Sequence, residues 1–464
     1  MITIINSRIY VRTATPELKK WCEDNLVVTN PTWQTLKKLN KEAEITRKHV
    51  PQKMALYVQS GLDLIIPFGC LYAIWGMIKD FPYELQLNSA NNIANKNEQI
   101  TQPLYDYQEE AVQKMIQAKG GILIGGCGSG KTNCGIEIIH RIGKNALWLT
   151  HTKDLLVQTA ERIKSLYPNT PVGTITEGKI NMVDNGITVS TIQTLVNIDK
   201  EIYADKFEVV VTDECHHVSG SPTLEKYFSK ILSKIPARYK YGLTATGKRT
   251  DTLTKSMYAL VGCNPQGEFE PTWKIAREDT KTLTAIHEKV ELDTPLSYKM
   301  LNDDGTFNYP ALVDYIATYE PRNEAICNKV QECVQQGRKQ LVLCARIEQC
   351  EHLNQMLQER GVNSVLLIGK VSKKKRQEIL KQKVGWQVIV ATVSLAKEGL
   401  DVVDLDTLHL VSCLSNQKDT VQAAGRIERV KEGKKDPIVY DYVDTKIPYL
   451  VSRYKKRVTW LKRR

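Results

Sequence analysis

The sequence has few of the features that mark membrane and secreted proteins. Its longest apolar run, Leu64–Ile78, contains Pro67 and Gly69 and is shorter than the ~20 residues that a membrane-spanning helix needs. The eleven cysteines are scattered, without a C-x-x-C pair or histidines at zinc spacing. Met1–Val11 alternates apolar and polar residues, unlike a signal peptide. We therefore expect reduced, packed thiols in a cytoplasmic protein.

Acidic residues are also fewer than basic residues. The chain has 64 lysines and arginines against 52 acidic residues, so its net charge is +12. This balance favours a polyanionic partner, most often nucleic acid, and a basic surface kept for solubility is the alternative. The hydrophobic share of 42% is ordinary for a globular protein, and 464 residues suit about three domains of ~150 residues each.

The most informative stretch is Gly125–Thr132, whose sequence GGCGSGKT fits the phosphate-binding pattern G-x-x-x-x-G-K-[ST]. A strand candidate, Ile122–Ile124, precedes it and a helix candidate, Asn133–Ile139, follows it. Glycines let backbone N–H groups turn towards an anion at the positive end of a helix. A plain glycine-rich turn is the alternative. The residues expected to hold nucleotide phosphates and Mg²⁺ are Gly128, Ser129, Gly130, Lys131 and Thr132.

A pair of acidic residues, Asp213 and Glu214, directly follows the apolar strand candidate Phe207–Thr212. Carboxylates at the end of a strand in the same sheet can lie beside the phosphates that the glycine-rich loop holds. We expect Asp213 to hold Mg²⁺ and Glu214 to orient and deprotonate the attacking water. Acidic residues of an ordinary surface loop are the alternative.

The pattern of apolar runs predicts a small N-terminal α+β domain and two successive α/β units, each with a parallel sheet. The predicted strands of the first unit are Gly121–Ile124, Ala146–Thr150, Ile187–Ser190, Val209–Thr212 and Tyr241–Thr244. Those of the second are Gln340–Cys344, Ser364–Ile368, Gln387–Ala391, Thr407–Val411 and Pro437–Tyr442. The predicted segments are 1–84 for the N-terminal domain with a possible DNA-binding role, 85–103 for a linker, 104–271 and 272–448 for the α/β units, and 449–464 for a basic helix.

Together these motifs resemble a known family. GSGKT followed by Asp213-Glu-Cys-His216 resembles motifs I and II of the superfamily 2 helicases. The family's other motifs follow in order as the Q motif LYDYQ (104–108), motif Ia LWLTHTKDLLVQ (147–158), VSTIQTL (189–195), motif III LTAT (243–246), motif V from AT to EGLD (391–401) and motif VI QAAGRIER (422–429). The resemblance implies two tandem RecA-like domains that hydrolyse ATP with Mg²⁺.

The resemblance also implies roles for single residues. Gln108 reads the adenine edge. His216 connects the ATP site to motif III or VI, and a metal role is disfavoured because His217 is expected to face the opposite way. Arg426 and Arg429 are three positions apart, so we expect them on one helical face as arginine fingers, with structural salt bridges as the alternative. The resemblance also implies that Gly399 and Asp401 lie near the nucleotide. The residues that it implies to contact nucleic acid are Thr152, Lys153, Thr191, Gln193 and Thr392.

Departures from the common pattern narrow the subgroup. Motif II is DECH instead of DEAD, and Gly247 follows motif III, with Arg249 and Asp251 nearby. This context resembles the XPB-like, restriction-subunit and UvsW-like phage branch-migration helicases. The segment Asp63–Gly69, DLIIPFG, resembles the N-terminal domain of the phage group. No iron–sulfur cysteine set is present, which disfavours the XPD-like group.

The resulting hypothesis is an ATP-dependent DNA helicase that remodels branched recombination, repair or replication intermediates in a prokaryotic or phage-infected cell. We expect it to be a monomer or weak oligomer with little sequence specificity and no membrane partner. The alternatives are an RNA helicase, the motor subunit of a restriction or defence system, and a non-motor nucleotide-dependent switch that binds nucleic acid.

Overall fold

The structure, a computed structural model, describes residues 1–126, 128–220, 227–249, 251–276, 280, 283–371, 373–380, 385–394, 402–414 and 416–462. It divides into two compact units, Met1–Asp279 and Thr280–Arg464. None of the described helices has both the length and the apolar composition to cross a membrane.

The first unit begins with a small α+β domain. Its strands are β1 (Ile2–Ile5), β2 (Arg8–Arg12), β3 (Val27–Thr29), β4 (Lys53–Ala55), β5 (Val58–Ser60), β6 (Asp63–Pro67) and β7 (Tyr83–Leu85). Its helices are α1 (Pro16–Asn25), α2 (Pro31–Lys38), α3 (Glu42–Arg47) and α4 (Leu71–Ile78), with a 3₁₀ turn at Phe68–Cys70. The main sheet has the order β5-β6-β2-β1-β7, and β3 and β4 form a separate antiparallel pair. Alternating residues such as Ile9, Val11, Leu64 and Ile66 form the core of this domain.

The larger part of the first unit is a doubly covered, mainly parallel sheet in the order β11-β10-β12-β9-β13-β14-β8-β15. The strands are β8 (Gly120–Ile124), β9 (Ala146–Thr150), β10 (Val172–Thr176), β11 (Lys179–Asn181), β12 (Ile187–Thr191), β13 (Val209–Thr212), β14 (Tyr239–Thr244) and β15 (Trp273–Lys274). The helices are α5 (Asp106–Gln117), α6 (Lys131–Ile142), α7 (Lys153–Leu166), α8 (Ile192–Leu195), α9 (Tyr227–Leu232) and α10 (Thr254–Val261).

Successive side chains of a strand point to opposite faces, and both faces of this sheet are buried. Trp148 packs with residues of α5, α6 and α7, whereas Leu147 and Leu149 pack with residues of α8, α9 and α10. The architecture predicted for this unit is confirmed. The boundary predicted after residue 271 is wrong, because β15 pairs with β8 and therefore belongs to the first unit.

The segment predicted as a linker, 85–103, is held along the first unit. The Asn88 side chain donates to the carbonyl oxygens of Ala204 and Phe207 at 2.7 and 2.9 Å. Ile93 is buried, and its N–H donates to the Gly143 carbonyl at 3.0 Å. The asparagines that suggested a linker instead satisfy backbone groups of the first unit, such as those just before β13, a tertiary use that composition alone does not reveal.

The N-terminal domain is seated on α10. The Gly69 carbonyl accepts from the Cys263 N–H at 2.8 Å. A Cβ at Gly69 would lie 2.5 Å from the carbonyl oxygens of both Tyr258 and Ala259. The segment Asp63–Gly69 therefore contains the strand that completes the domain core and the glycine that allows close contact with α10.

The second unit contains a parallel sheet in the order β16-β21-β20-β17-β19-β18. The strands are β16 (Ile286–Leu292), β17 (Gln340–Cys344), β18 (Ser364–Leu367), β19 (Val388–Thr392), β20 (Thr407–Leu410) and β21 (Ile438–Asp444). The helices are α11 (Tyr309–Thr318), α12 (Glu320–Gln335), α13 (Ile347–Glu359), α14 (Lys373–Leu380), α15 (Gln417–Gly425) and α16 (Pro448–Lys462). The two tandem α/β sheets and the small α+β domain agree with the predicted fold class.

The basic helix predicted at 449–464 is α16, and its basic residues do not all face solvent. Arg457 is buried and makes two hydrogen bonds to Asp441, at 2.8 and 2.6 Å. It also donates to the Leu414 carbonyl at 3.4 Å, just before α15. Lys455 and Lys456 are exposed. The helix is thus part of the core of the second unit, with a basic outer face.

Replacing Gly69 with alanine should destabilise the first unit by about 1–3 kcal/mol, because the new methyl group meets two backbone oxygens that cannot move independently. The matched control is Gly76→Ala in α4, where a Cβ meets nothing within 4 Å. A helical glycine replaced by alanine gains roughly 0.5–1 kcal/mol. Thermal unfolding followed by circular dichroism separates the two variants. Equal melting temperatures for both would contradict the tight seat at Gly69.

Candidate functional site

The loop that follows β8 has the backbone of a phosphate cradle. Gly128 and Gly130 have φ angles of +81° and +76°, in the left-handed region that glycine tolerates best. α6 begins immediately afterwards at Lys131, so its N-terminal N–H groups face the loop. The Lys131 ammonium donates to the carbonyl oxygens of Gly125 and Gly126, at 2.8 and 3.1 Å. The ammonium is therefore held over the loop, where a phosphate group would bind.

Gln108 is buried against this loop. Its Nε2 donates to the Ser129 carbonyl at 3.0 Å, and its Oε1 accepts from the Tyr105 N–H at 3.1 Å. The Ser129 hydroxyl in turn donates to the Gly126 carbonyl at 2.9 Å. One amide thus joins the start of α5 to the phosphate loop. Recognition of adenine by Gln108 stays a prediction, and the contact with the loop adds a positioning role.

The two acidic residues follow β13 directly. The Asp213 N–H donates to the Leu149 carbonyl at 2.9 Å, which fixes the residue at the carboxyl edge of the sheet. Its side chain accepts from the Glu214 N–H at 2.9 Å. Glu214 has a φ of +47°, an uncommon conformation for a residue with a side chain. Such strain persists only where the surroundings impose it, and it is frequent at catalytic positions.

His216 connects the acidic pair to motif III. Its Nδ1 lies 3.0 Å from the Glu214 Oε2 and 3.0 Å from the Thr244 Oγ1. His216 therefore contacts motif III, and its role in connecting the ATP site to that motif stays a prediction. The expectation that His217 faces the opposite way is wrong, because a 3₁₀ turn at Cys215–His217 brings the two imidazole rings to 4.2 Å. Among the described residues, no cluster of histidine, cysteine or acidic side chains has the geometry of a metal site.

The charges around the acidic pair fit a divalent cation. Burial and the neighbouring Glu214 carboxylate raise the pKa of Asp213 to about 7, and Lys131 opposes that rise. Two adjacent carboxylates with one nearby ammonium lack countercharge, which a cation bound between them and a phosphate would supply. Thr132 lies in the first turn of α6. The donors are oxygens, as Mg²⁺ prefers.

The residues of the first unit predicted to contact nucleic acid lie at the carboxyl ends of β9 and β12. Thr152 and Thr191 cap α7 and α8, accepting from backbone N–H groups at 3.3 Å in both cases. Gln193 is exposed and donates to the His151 carbonyl at 3.0 Å, and Lys153 pairs with Glu177. The structure gives these side chains local roles, and their contact with nucleic acid stays a prediction.

In the second unit the structure describes only some of the predicted site residues. Thr392 ends β19, and its Oγ1 accepts from the Ser394 hydroxyl at 3.3 Å. Gly399 and Asp401 lie outside the described residues. The shared helical face predicted for Arg426 and Arg429 is wrong, because α15 ends at Gly425 and Arg429 lies beyond the helix. Gly425 is a poor helix former at the point where the chain leaves α15.

Two functional candidates had no assigned role in the sequence analysis. Thr244 is in motif III, yet only the structure reveals its contact with His216. Arg249 donates to the His216 carbonyl and, at 3.1 Å, to the Val218 carbonyl, while its Nε donates to Asp251 at 2.9 Å. The position of Arg249 after motif III was noted in the sequence as unusual. Its contacts could not be predicted from sequence, because the carbonyls that it binds belong to residues 31 and 33 positions away.

Glu214→Gln should keep nucleotide binding and lose turnover by roughly 10²–10⁴-fold, because an amide cannot accept a proton from water. The matched control is Glu201→Gln, an exposed acid of the same unit whose ion-pair partner is the adjacent Lys200. Steady-state phosphate release and binding of a fluorescent ATP analogue measure the two properties. Normal turnover in the Glu214 variant would assign the base to another residue.

Comparison with protein families agrees with this geometry. Residues 101–249 match the family model described as type III restriction enzyme, res subunit. Residues 322–431 match the helicase conserved C-terminal domain. The two matches contain the phosphate loop and acidic pair in one case, and Thr392, Arg426 and Arg429 in the other.

Individual relatives point the same way. Helicase L396 of Acanthamoeba polyphaga mimivirus, which carries the name of an ATP-dependent RNA helicase, is 28% identical over 401 residues, 84% of this chain and 72% of its own. The DNA 3'-5' translocase XPB2 of Sulfurisphaera tokodaii is 25% identical over 366 residues, 71% of this chain and 79% of its own. The Pyrococcus furiosus Hef helicase domain shares the fold, with a TM-score of 0.51 at 18% identity over 76% of this chain and 98% of that one. The chain therefore belongs to the superfamily 2 helicases and is an enzyme that hydrolyses ATP on nucleic acid.

Proposed function

We propose that this helicase is an ATP-driven motor on DNA that remodels or unwinds branched recombination, repair or replication intermediates in a prokaryotic or phage-infected cell. The observation that carries the proposal is the contact of His216 with both Glu214 and Thr244. This contact joins Glu214, the proposed base for hydrolysis, to motif III, which in this family couples hydrolysis to strand movement. A nucleotide-dependent switch does not need such a connection.

DNA is favoured over RNA by two observations. Motif II is DECH, and its context after motif III resembles DNA-directed members of the family. The relative XPB2, which aligns with 71% of this chain, is named as a DNA translocase. The name of L396 favours RNA instead, so RNA is the second candidate substrate. The net charge of +12 suits the backbone of either polymer, because phosphate contacts carry affinity without reading sequence.

We propose that ATP is held by the loop residues 125–132, with its γ-phosphate near Lys131. Thr132 and Asp213 are the proposed Mg²⁺ ligands, and a bound Mg²⁺ would neutralise charge on the phosphates. The role of Glu214 is to accept the proton of the attacking water. Since the Glu214 carboxylate lies 3.0 Å from the His216 Nδ1, the imidazole orients it.

Arg426 and Arg429 are the proposed arginine fingers. Replacing either arginine with alanine should lower turnover more than it lowers ATP affinity, because charge on the γ-phosphoryl oxygens grows in the transition state. An arginine finger contributes roughly 10³–10⁵ in rate in nucleotide hydrolases. The matched control is Arg360→Ala, at the end of α13, whose guanidinium pairs with Glu324 and Asn328. DNA-stimulated hydrolysis at the control rate in both finger variants would assign these arginines a structural role.

The substrate proposal is tested by steady-state ATP hydrolysis with single-stranded DNA, duplex DNA, a four-way junction and RNA side by side. We expect strong stimulation by DNA, greatest with the junction, and little with RNA. Lys131→Ala serves as the inactive control, since it removes the ammonium next to the phosphates. Stimulation by RNA alone would replace the proposal with an RNA helicase. No stimulation by any polymer would favour the nucleotide switch.

A further inference from the structure

A helical hairpin protrudes from the N-terminal domain between β3 and β4. Its base is closed by the Asn30 N–H, which donates to the Gln52 carbonyl at 2.9 Å. Asn30 also caps α2, because its side chain accepts from the Thr32 N–H at 2.9 Å. Neither α2 nor α3 has a buried residue. The hairpin, residues 30–52, therefore contributes little to the core and presents both helices to solvent.

The hairpin is strongly basic. Residues 30–52 have five lysines and arginines against two glutamates, namely Lys37, Lys38, Lys41, Arg47 and Lys48 against Glu42 and Glu44. In the same domain α1 has two lysines against three acidic residues. Glu44 pairs with both Lys41 and Lys48, at 3.2 and 2.9 Å. The positive charge is thus concentrated on the protruding element and is not a general property of the domain.

The composition of the hairpin favours duplex over single-stranded nucleic acid. Binding of single strands relies on exposed aromatic rings on which bases stack. Trp33 is the one phenyl, phenol or indole ring in residues 30–53, and it is half-buried with the Lys37 ammonium 5.1 Å from its centre. Lysines and arginines on two helices instead suit the phosphates of a duplex, which are fixed in space and closely spaced.

The strand that leads into the hairpin is bonded to the segment after motif III. The Thr252 hydroxyl donates to the carbonyl of Thr29, the last residue of β3, at 2.8 Å. Thr252 has a φ of +65°, a conformation that a β-branched residue adopts only when its surroundings impose it. The next residue, Leu253, is buried in the core of the N-terminal domain. The segment is therefore fixed to the domain on both sides.

The same segment reaches the ATP site. Arg249 donates to the carbonyls of His216 and Val218, directly after the acidic pair, and pairs with Asp251. Asp251 in turn accepts from the Leu253 N–H at 3.3 Å. Bonds of Arg249, Asp251 and Thr252 therefore connect the DECH loop, residues 213–218, to the Thr29 carbonyl. A movement of the DECH loop would displace the base of the hairpin.

From these contacts we propose that the hairpin 30–52 binds the phosphate backbone of duplex DNA and that Arg249, Asp251 and Thr252 couple its position to the nucleotide state of the ATP site. The inference rests on the proposed DNA motor and adds a duplex-binding element to it. Because the hairpin belongs to the same unit as the ATP site, the coupling does not require the second unit. The hairpin would hold the duplex while hydrolysis proceeds.

The first experiment tests the surface in the full chain. Lys37→Gln with Lys38→Gln is compared with Lys19→Gln with Lys20→Gln on α1, so that each variant loses two charges from the same domain. Binding of a 30-base-pair duplex is measured by fluorescence anisotropy at several salt concentrations. Each lost phosphate contact lowers the slope of log K against log salt by about 0.9, so the hairpin variant should lose about 1.8 and the control close to none. Identical salt slopes for the two variants would overturn the assignment of the hairpin as a duplex-binding surface.

The second experiment tests the coupling. Thr252→Val removes the hydroxyl at nearly constant shape, and Thr252→Ser keeps it. Duplex affinity is measured without nucleotide and with a non-hydrolysable ATP analogue. We expect the ratio of the two affinities to differ from one in the unsubstituted protein and in the serine variant, and to approach one in the valine variant. Basal ATP hydrolysis should stay within about twofold in all three. A ratio unaffected by valine, or equal to one in the unsubstituted protein, would overturn the coupling.

Failure of this inference is separable from failure of the proposed function. ATP hydrolysis stimulated by single-stranded DNA reports the motor and should be unchanged in the hairpin variant. If the unsubstituted protein is not stimulated by any DNA, the proposed function fails. If it is stimulated but the hairpin variant binds and responds to duplex as the control does, only the hairpin assignment fails. An acidic protein segment is then the next occupant to test.

Discussion

Parallel pairing of β8, β14, β13 and β9 is the constraint on which the catalytic site of the first unit depends. The carboxyl ends of parallel strands meet at one edge of a sheet, so each strand delivers one loop there. The order of pairing matters as much as the direction. β14 lies between β8 and β13, which places motif III between the phosphate loop and the acidic pair. His216 can contact Thr244 only because these strands are neighbours, although the residues are 28 positions apart.

This edge of the sheet is costly to maintain without a ligand. Asp213 is buried beside Glu214, the backbone of Glu214 is in the left-handed region, and Lys131 is the cation whose attraction opposes their repulsion. Polar groups in such an environment are stabilised by fixed partners instead of by water. The imidazole of His216 lies 3.0 Å from the Glu214 carboxylate, and the guanidinium of Arg249 holds the backbone carbonyls of His216 and Val218 that follow the acidic pair. Preorganisation of this kind is what a site needs if charge is to develop there without rearrangement.

The fold and the chemical identity of the site were largely predictable from sequence, whereas positions that depend on tertiary pairing were not. The predicted buried strands of both units are present, because a continuous apolar run between turns has few other uses. The edge strand β16 was missed, since its IHEKVEL sequence is mostly exposed. The linker at 85–103 and the boundary after residue 271 were wrong, because both depend on contacts with distant residues, such as the pairing of β15 with β8. The shared helical face of Arg426 and Arg429 was wrong because α15 ends at Gly425. The predicted basic helix is present, but composition did not reveal the buried contact of Arg457 with Asp441.

The seat of the N-terminal domain on α10 has a practical consequence for genetics. Leu253 and Ala259 lie within the core that this domain completes, and Gly69 lies against the backbone of α10. A chain that begins after residue 85 would expose this apolar surface to water, where it becomes a site of self-association. Loss of activity on such a deletion would therefore report poor solubility of the enzyme before it reported any role of the missing residues. Point substitutions on the solvent side of the domain are the informative alleles.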